Sequence, residues 1–319
     1  MQIICIIKEA IMKLLRSILL AAVLLSAITL IVSCGGKSAV GTGFGAGSKP
    51  LVYSSFYAMY DLTEKIAGDK IVLSNLVPAG TEPHDWEPSP GDMVNLEKAD
   101  VIILNGASME GWADKVIPAL KNKKLVVVVT STNIKLHENL DKDENLKYDP
   151  HVWLYPLNAV KQMEAIEAAL SNVDPADGAF FQSNLVYYTA KFNELDKEYR
   201  DALANVKQSN IVVSHQAFGY MCEAYGLKQI PIEGLEADAE PSAGQMAKIA
   251  DFARKNGVKY IFFEDLVSPK VAQAIAREIG AKTGTFNPLE GLTDKEIADG
   301  KEYISVMKDN LTSLVKALK

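Results

Sequence analysis

Residues 179–206 read AFFQSNLVYYTAKFNELDKEYRDALANV, and they contain no β-branched run of the kind that makes a strand. Phe181, Leu185, Tyr188, Phe192, Leu195, Tyr199 and Leu203 recur at steps of three and four, which puts them on one face of a helix. Just upstream, Asp174-Pro175-Ala176-Asp177 supplies start signals. A helix of these 28 residues would run roughly 40 Å at about 1.5 Å per residue, the length of a domain. The pattern alone also fits an ordinary surface helix. What lies on either side favours a strut between two lobes.

Before it, short β-branched runs alternate with helical patterns. Strands are expected at Leu51–Phe56, Lys70–Val77, Asp100–Leu104 and Leu125–Val129, with helices at Ala58–Ala67 and Pro90–Lys98. After it the alternation restarts at Asn210, with strands at Ile211–Ser214, Gln229–Glu233, Tyr260–Glu264 and Lys282–Phe286 and helices at Ser242–Asn256 and Pro269–Ile279. Strands alternating with helices imply parallel sheets covered on both faces. The expected fold is therefore α/β, with two lobes, each a parallel sheet flanked by helices, bridged by one long rigid helix. The expected boundaries are residues 50–178, 179–206 and 207–319. Residues 135–149 are highly charged and aperiodic, which reads as a mobile surface loop.

The N-terminus reads as a targeting segment. Lys13 and Arg16 precede an apolar or small-residue run from Ile18 to Val32, shorter than the roughly 20 residues that a membrane-spanning helix needs. The run ends in Ile31-Val32-Ser33-Cys34-Gly35-Gly36, which resembles a bacterial lipobox, so residues 1–33 are expected to be removed and Cys34 lipidated. Translation from Met12 would still give a complete signal. Residues 34–49, rich in Gly, Ser, Thr and Ala, form a flexible tether. Lys8, Lys13 and Arg16 against Glu9 give the leader +2 of the chain's −7, leaving the remainder near −9. Such a chain lacks the basic stripe of a nucleic-acid surface and suits a cation ligand. Beyond the leader Cys222 stands alone, so the fold carries no internal disulfide, and its apolar surroundings suggest a small core residue.

Chemistry falls to four histidines, His84, His137, His151 and His215. His84 lies in Pro78-Ala79-Gly80-Thr81-Glu82-Pro83-His84-Asp85-Trp86-Glu87-Pro88, directly after an expected strand, and His151 lies in Asp149-Pro150-His151-Val152-Trp153. The prolines limit backbone freedom and hold an imidazole in place without a helix. His215 follows Ile211-Val212-Val213-Ser214 at the carboxyl end of a strand, where open α/β sheets bind ligands. His137 sits among Glu138, Asp141, Asp143 and Glu144 and reads as solvated.

Taken in order, Pro-x-Gly-x-Glu-Pro-His-x-Trp-Glu-Pro, Asp-Pro-His-x-Trp and Val-Ser-His215-Gln-Ala-Phe-Gly-Tyr resemble the metal-binding lipoproteins of zinc and manganese ABC importers, the cluster A-I solute-binding proteins of the ZnuA and AdcA type. The resemblance runs from about Pro50 to Lys319. It implies two α/β lobes bridged by a long helix with a metal between them, and it puts the first three ligands on His84, His151 and His215. The fourth would be a carboxylate after the last strand. Many relatives have aspartate where Asn287 stands, and an amide is a poor anionic ligand, so Glu290 in Asn287-Pro288-Leu289-Glu290 is the expected ligand, with water or Asn287 as the fallback. Glu82, Asp85, Asp149 and Glu264 are expected to orient the imidazoles. His137 stands where zinc-specific relatives carry a histidine-rich insertion.

Three imidazoles and one carboxylate suit Zn2+. Mn2+ is the weaker choice, because manganese relatives usually carry glutamate in place of His215. The expected partners are a membrane permease and an ATPase on other chains, since no phosphate-cradling Gly-x-x-x-x-Gly-Lys motif occurs. A monomer held to the outer membrane face by lipid is expected. A surface adhesin and a zinc hydrolase are the rival readings. The sequence offers no His-Glu-x-x-His helix and no paired nucleophile and base for the latter.

Overall fold

The computed structural model describes residues 48–139, 146–235, 241–266 and 268–319. The leader, Cys34, most of the tether and the middle of the charged 135–149 stretch lie outside the described residues. The described residues form two four-stranded sheets, each parallel throughout. β1 (Leu51–Ser54), β2 (Val72–Asn75), β3 (Val101–Leu104) and β4 (Val126–Val129) are ordered β2-β1-β3-β4. β5 (Asn210–Val213), β6 (Lys228–Pro231), β7 (Tyr260–Phe263) and β8 (Lys282–Thr285) repeat that order as β6-β5-β7-β8. All eight expected strands are present; six are a residue or two shorter at one or both ends, while β5 and β6 begin one residue earlier than expected.

Position within the sheet explains which runs are apolar throughout. β3 is an inner strand and Val101, Ile102, Ile103 and Leu104 are all buried. β4 is an edge strand and leaves Val126, Val127 and Val129 partly exposed. The flanking helices are α1 (Tyr57–Ala67), α2 (Pro90–Leu96), α3 (Ala113–Ala119) and α4 (Pro156–Val173) on the first sheet. The second sheet carries α6 (Gly219–Tyr225), α7 (Ala243–Lys255) and α8 (Lys270–Ile279), and the short α9 (Asp294–Ala298) follows β8 with none of its residues buried. Ser89 and Ser242 cap α2 and α7 through reciprocal capping boxes, which fixes where each helix begins.

Between the sheets runs α5 (Gly178–Leu203), 26 residues or roughly 39 Å. Phe181, Leu185, Phe192, Leu195, Tyr199 and Leu203 are buried along its inner face, while Tyr188 is half-buried. It packs on α1 and α4 on one side and on α6 and α10 (Tyr303–Leu318) on the other. Asp177 stands at the N-cap, but its carboxylate pairs with Lys70 at 2.9 Å instead of capping the helix. Burying each large apolar side chain on this face contributes about 1.5–3 kcal/mol, so α5 is held along its whole length.

A second tie is α10, whose stripe the sequence reading did not name. Tyr303 at its start donates its backbone N–H to the Asp61 carboxylate of α1 at 3.3 Å, and its ring stacks on Phe192 of α5 at 4.7 Å. Glu302, its N-cap, pairs with Lys65 of α1 at 2.8 Å. Further along, Tyr199 of α5 donates to the Met307 carbonyl at 2.6 Å. One apolar cluster runs from Val52 through Trp153 and Phe192 to Leu318 and joins both sheets. Cys222 is buried in it, and burial pushes its thiol far above the usual range. Among the described residues no helix is long and apolar enough to cross a membrane.

The charged stretch departs from expectation at its base. Asp149 N–H donates to the His137 carbonyl at 2.9 Å, and Asn139 N–H to the Lys147 carbonyl at 3.0 Å, an antiparallel pairing. His137 is not a solvated side chain. Its ring stacks on Tyr220 at 4.0 Å and pairs with Glu223 at 2.5 Å. The aromatic face of α6 covers one side of the ring and leaves it half-buried.

Candidate metal centre

Four loops converge between the sheets. Beyond β2, Leu76 and Val77 continue the pairing with β1, and the chain then turns through Pro78-Ala79-Gly80 with Gly80 at φ +73°. The Glu82 carboxylate accepts the His84 backbone N–H at 2.9 Å, which curls the loop and sends the His84 ring inward, where its side chain is 3% exposed. His151 opens a short 3-10 turn, Val152–Leu154, and is fully buried. His215 follows β5 and is fully buried as well. Glu290, 2% exposed, comes from the loop after β8.

The metal-binding atoms of these four side chains lie within 4.8 Å of one another. His151 Nε2 is 3.2 Å from His84 Nε2 and 3.3 Å from His215 Nε2. Glu290 Oε1 is 3.4, 2.9 and 3.3 Å from the Nε2 atoms of His84, His151 and His215. A tetrahedral ion with bonds of about 2.0–2.1 Å needs donor atoms about 3.3 Å apart, so these five separations are close to the edges of such a site. Glu290 Oε1 is also a buried acceptor that receives no well-directed hydrogen bond, although three ring nitrogens surround it. Atoms that face a common centre instead of each other are the arrangement a cation satisfies.

The opposite ring nitrogens are fixed by carboxylates. His151 Nδ1 is 2.8 Å from Asp149 Oδ1, and His215 Nδ1 is 2.6 Å from Glu264 Oε1. A proton on each Nδ1 leaves the Nε2 lone pair free for a metal. Ser214 also donates to Glu264, holding that carboxylate in line. Burial pulls the two imidazoles down, but carboxylates outweigh it: Asp149 and Glu290 raise His151, and Glu264 and Glu290 raise His215 well above its usual value. Burial alone would raise Glu290, yet the surrounding imidazoles hold it well below the carboxylate range. Glu82 is pushed up to about 7 by burial and by the nearby Glu290 charge, against the pull of His84. The pocket favours positive charge at its centre.

Two expected helpers have other roles. Glu82 holds the His84 backbone N–H. Asn287 offers nothing to the centre: its Oδ1 accepts the Leu289 N–H at 2.7 Å. Asp85 is exposed. Sequence reasoning missed Trp153, whose Nε1–H donates to the Pro288 carbonyl at 2.8 Å, although it lies within the Asp-Pro-His-x-Trp motif. It also missed Asn105, which donates to the Pro150 carbonyl at 2.9 Å, and Asn310, which bonds the Asn287 backbone; neither carries a local signal.

Comparison with known proteins agrees with this fold. The family model for ZnuA, the periplasmic component A of a zinc-uptake complex, matches residues 52–317. The high-affinity zinc uptake system protein ZnuA of Bacillus subtilis is 38% identical over 306 residues, covering 93% of this chain and 96% of that protein. Zinc-binding protein AdcA of Streptococcus pyogenes serotype M3 is 40% identical over 288 residues, 84% of this chain but 56% of AdcA, so the chain spans about half of that longer relative. The Zn(II)-bound ZnuA-like domain of Streptococcus pneumoniae AdcA has a TM-score of 0.75 at 38% identity, covering 85% of this chain and 99% of the domain. The laminin-binding protein Lmb of Streptococcus agalactiae, described as bifunctional with adhesin and metal transporting activity, has a TM-score of 0.77 at 32% identity, covering 85% of this chain and all of Lmb (100%). With two like-ordered parallel sheets, a long helix between them and a family match across nearly all of the described residues, this chain belongs to the ZnuA family of zinc-uptake components.

Proposed function

We propose that this chain captures Zn2+ on His84, His151, His215 and Glu290 and hands it to a membrane permease. The observation that carries the ligand assignment is the set of five donor separations between 2.9 and 3.4 Å, which suits tetrahedral zinc. Nitrogen-rich coordination favours Zn2+ over Mn2+, which prefers oxygen donors. As a member of a zinc-uptake family the chain is the extracytoplasmic substrate-binding component of an ABC importer, a transport protein and not an enzyme. The permease and its ATPase are other chains. A closed set of four protein ligands also leaves no open position for a hydrolytic water.

Lipid attachment at Cys34 and removal of residues 1–33 are part of the proposal, supported by the lipobox-like segment and by the relative named zinc-binding lipoprotein AdcA, and a monomeric state completes it. We divide the chain at 50–178, 179–206 and 207–319, because strand–helix alternation stops and restarts around the long helix. That helix, packed along its length on elements of both sheets, resists wide hinging and favours limited closure over the ion.

Native mass spectrometry of the protein with Zn2+ and Mn2+ in competition tests the metal. One retained Zn2+ per chain is expected, and preferential Mn2+ retention would remove the assignment. Alanine at His84, His151 and His215 together should abolish capture, and Glu290→Ala should weaken it. An adhesin role, suggested by the description of Lmb, is separable: adhesion that needs no metal survives the triple substitution.

A further inference from the structure

The loop that carries Glu290 is held by groups that do not reach the ion. Leu289 is fully buried and sits at φ +59°, a left-handed conformation that a leucine adopts only under constraint. Each backbone polar group leading into it is engaged. Asn287 N–H donates to Asn310 Oδ1 at 2.9 Å, and Asn310 Nδ2 donates back to the Asn287 carbonyl at 2.7 Å. Trp153 takes the Pro288 carbonyl, and Asn287 Oδ1 takes the Leu289 N–H. Beyond Glu290, the Leu292 carbonyl accepts Gly80 N–H at 3.0 Å, which ties the loop to the one carrying His84.

Asn310 is the unexpected member of this set. It lies inside α10, 3% exposed, on the face that otherwise buries Val306, Met307 and Leu314. Asparagine is a poor helix-interior residue, and a buried amide is costly unless it is bonded. Its side chain pairs with one residue's N–H and C=O together, as a neighbouring strand would, and so extends the fixed backbone beyond the end of β8.

We propose that Asn310 is the positioning residue for the fourth ligand: by clamping Asn287 it holds Leu289 in its left-handed turn and keeps the Glu290 carboxylate at the three imidazoles, thereby setting four-coordination and the preference for Zn2+. This rests on the ligand set proposed above. Loosening the clamp lets the carboxylate withdraw and solvent enter, which leaves three imidazoles and water, a set that tolerates five- or six-coordinate ions.

The test uses the full chain and two variants. Asn310→Asp is isosteric, keeps an acceptor for Asn287 N–H and sets an oxygen against the Asn287 carbonyl. Asn310→Leu removes both bonds. Zn2+ affinity is read by competition with a chelator, and coordination by the visible absorption of bound Co2+, which is intense when four-coordinate and weak when five- or six-coordinate. Both variants should bind Zn2+ about 10- to 100-fold more weakly, lose the intense cobalt band and narrow the Zn2+-over-Mn2+ preference. Glu290→Ala should give the same cobalt change.

If Asn310→Leu fails to fold by circular dichroism, Asn310→Asp decides. A folded variant with the wild-type cobalt spectrum and Zn2+ affinity within about twofold, far short of that range, overturns the proposal, provided that Glu290→Ala changes both. If Glu290→Ala changes neither, the ligand assignment itself fails, and the positioning role falls with it.

Discussion

The two sheets have the same strand order, and each has a crevice where its two inner strands diverge to opposite neighbours, yet the crevices are used differently. In the second sheet the inner strands end at Ser214-His215 and at Glu264. Ser214 and His215 Nδ1 both bond the Glu264 carboxylate, and the His215 Nε2 points to the proposed ion site. In the first sheet the inner strands end at Ser55 and at Asn105, and the carboxylate is Glu110. It accepts Ser55 Oγ at 2.7 Å, Asn105 N–H at 2.8 Å and Gly106 N–H at 2.9 Å. Gly106, Ala107 and Ser108 are all left-handed, and a Cβ on Gly106 would stand 2.4 Å from Val129. The first crevice is filled by its own turn; the second is left for a ligand. Topology supplies the opening, and the loop decides whether it does chemistry or bracing.

Substitution of the two carboxylates should separate the roles. Glu110→Ala strands three donors and is expected to cost about 3–5 kcal/mol of stability, measured by urea unfolding, with a smaller effect on metal affinity through Asn105 and Pro150. Loss of zinc affinity without loss of stability would end the distinction. Glu264→Gln should do the reverse: Zn2+ affinity falls about 10- to 100-fold, or about 1.4–2.7 kcal/mol, because the His215 tautomer is no longer enforced. Its unfolding midpoint without metal should move little.

The pH dependence sharpens the same contrast. Burial raises the Glu110 pKa, against the donors that pull it down. A carboxyl whose folded pKa exceeds its unfolded one binds more protons when folded. Its contribution is therefore fully present below the unfolded value and is lost as pH rises through the folded one, by at most about 1.4 kcal/mol per pH unit. Glu110→Gln removes this loss, so the stability difference between variant and wild type should shift in the variant's favour as pH rises from the ordinary carboxylate range upward. A difference independent of pH would mean that Glu110 ionises as freely in the fold as in the open chain.

How much of this was legible beforehand follows from where polar residues sit. The eight strands were readable because parallel strands are short β-branched runs, and α5 because Phe181, Leu185, Phe192, Leu195, Tyr199 and Leu203 keep the apolar period unbroken, with buried Asp196 beside it. Helices α4 and α10 were not named, and their buried faces carry Asn158 and Gln162 in one and Asn310 in the other, which interrupt the apolar period. Gln162 bonds Asn105, and Asn310 bonds Asn287, so the interruptions lie where side chains position loops of the site. The histidines and Glu290 were marked by loop motifs and strand ends together with a family resemblance. Pairings such as Trp153 with Pro288 join residues 135 apart in the chain and have no local trace.

The smallest effect is expected at His137, and it bears on whether the molecule has one metal centre or two. The ring is 30% exposed, and its partner Glu223 is 68% exposed, so that ion pair is worth about 0–1 kcal/mol. The tie that matters runs through the backbone: Tyr220 Oη accepts His137 N–H at 2.9 Å and donates to the Asp149 carbonyl at 2.8 Å, next to the carboxylate that orients His151. His137→Ala leaves both of these bonds intact. Its stability should fall by less than about 1 kcal/mol, and zinc affinity and stoichiometry at the main centre should not move. Tyr220→Phe cuts the tie and should weaken zinc binding more than His137→Ala does. If His137→Ala instead lowered the number of zinc ions per chain, the imidazole would be a ligand in its own right, and the base of the charged loop would have to be counted with the second crevice as a place where this chain holds metal.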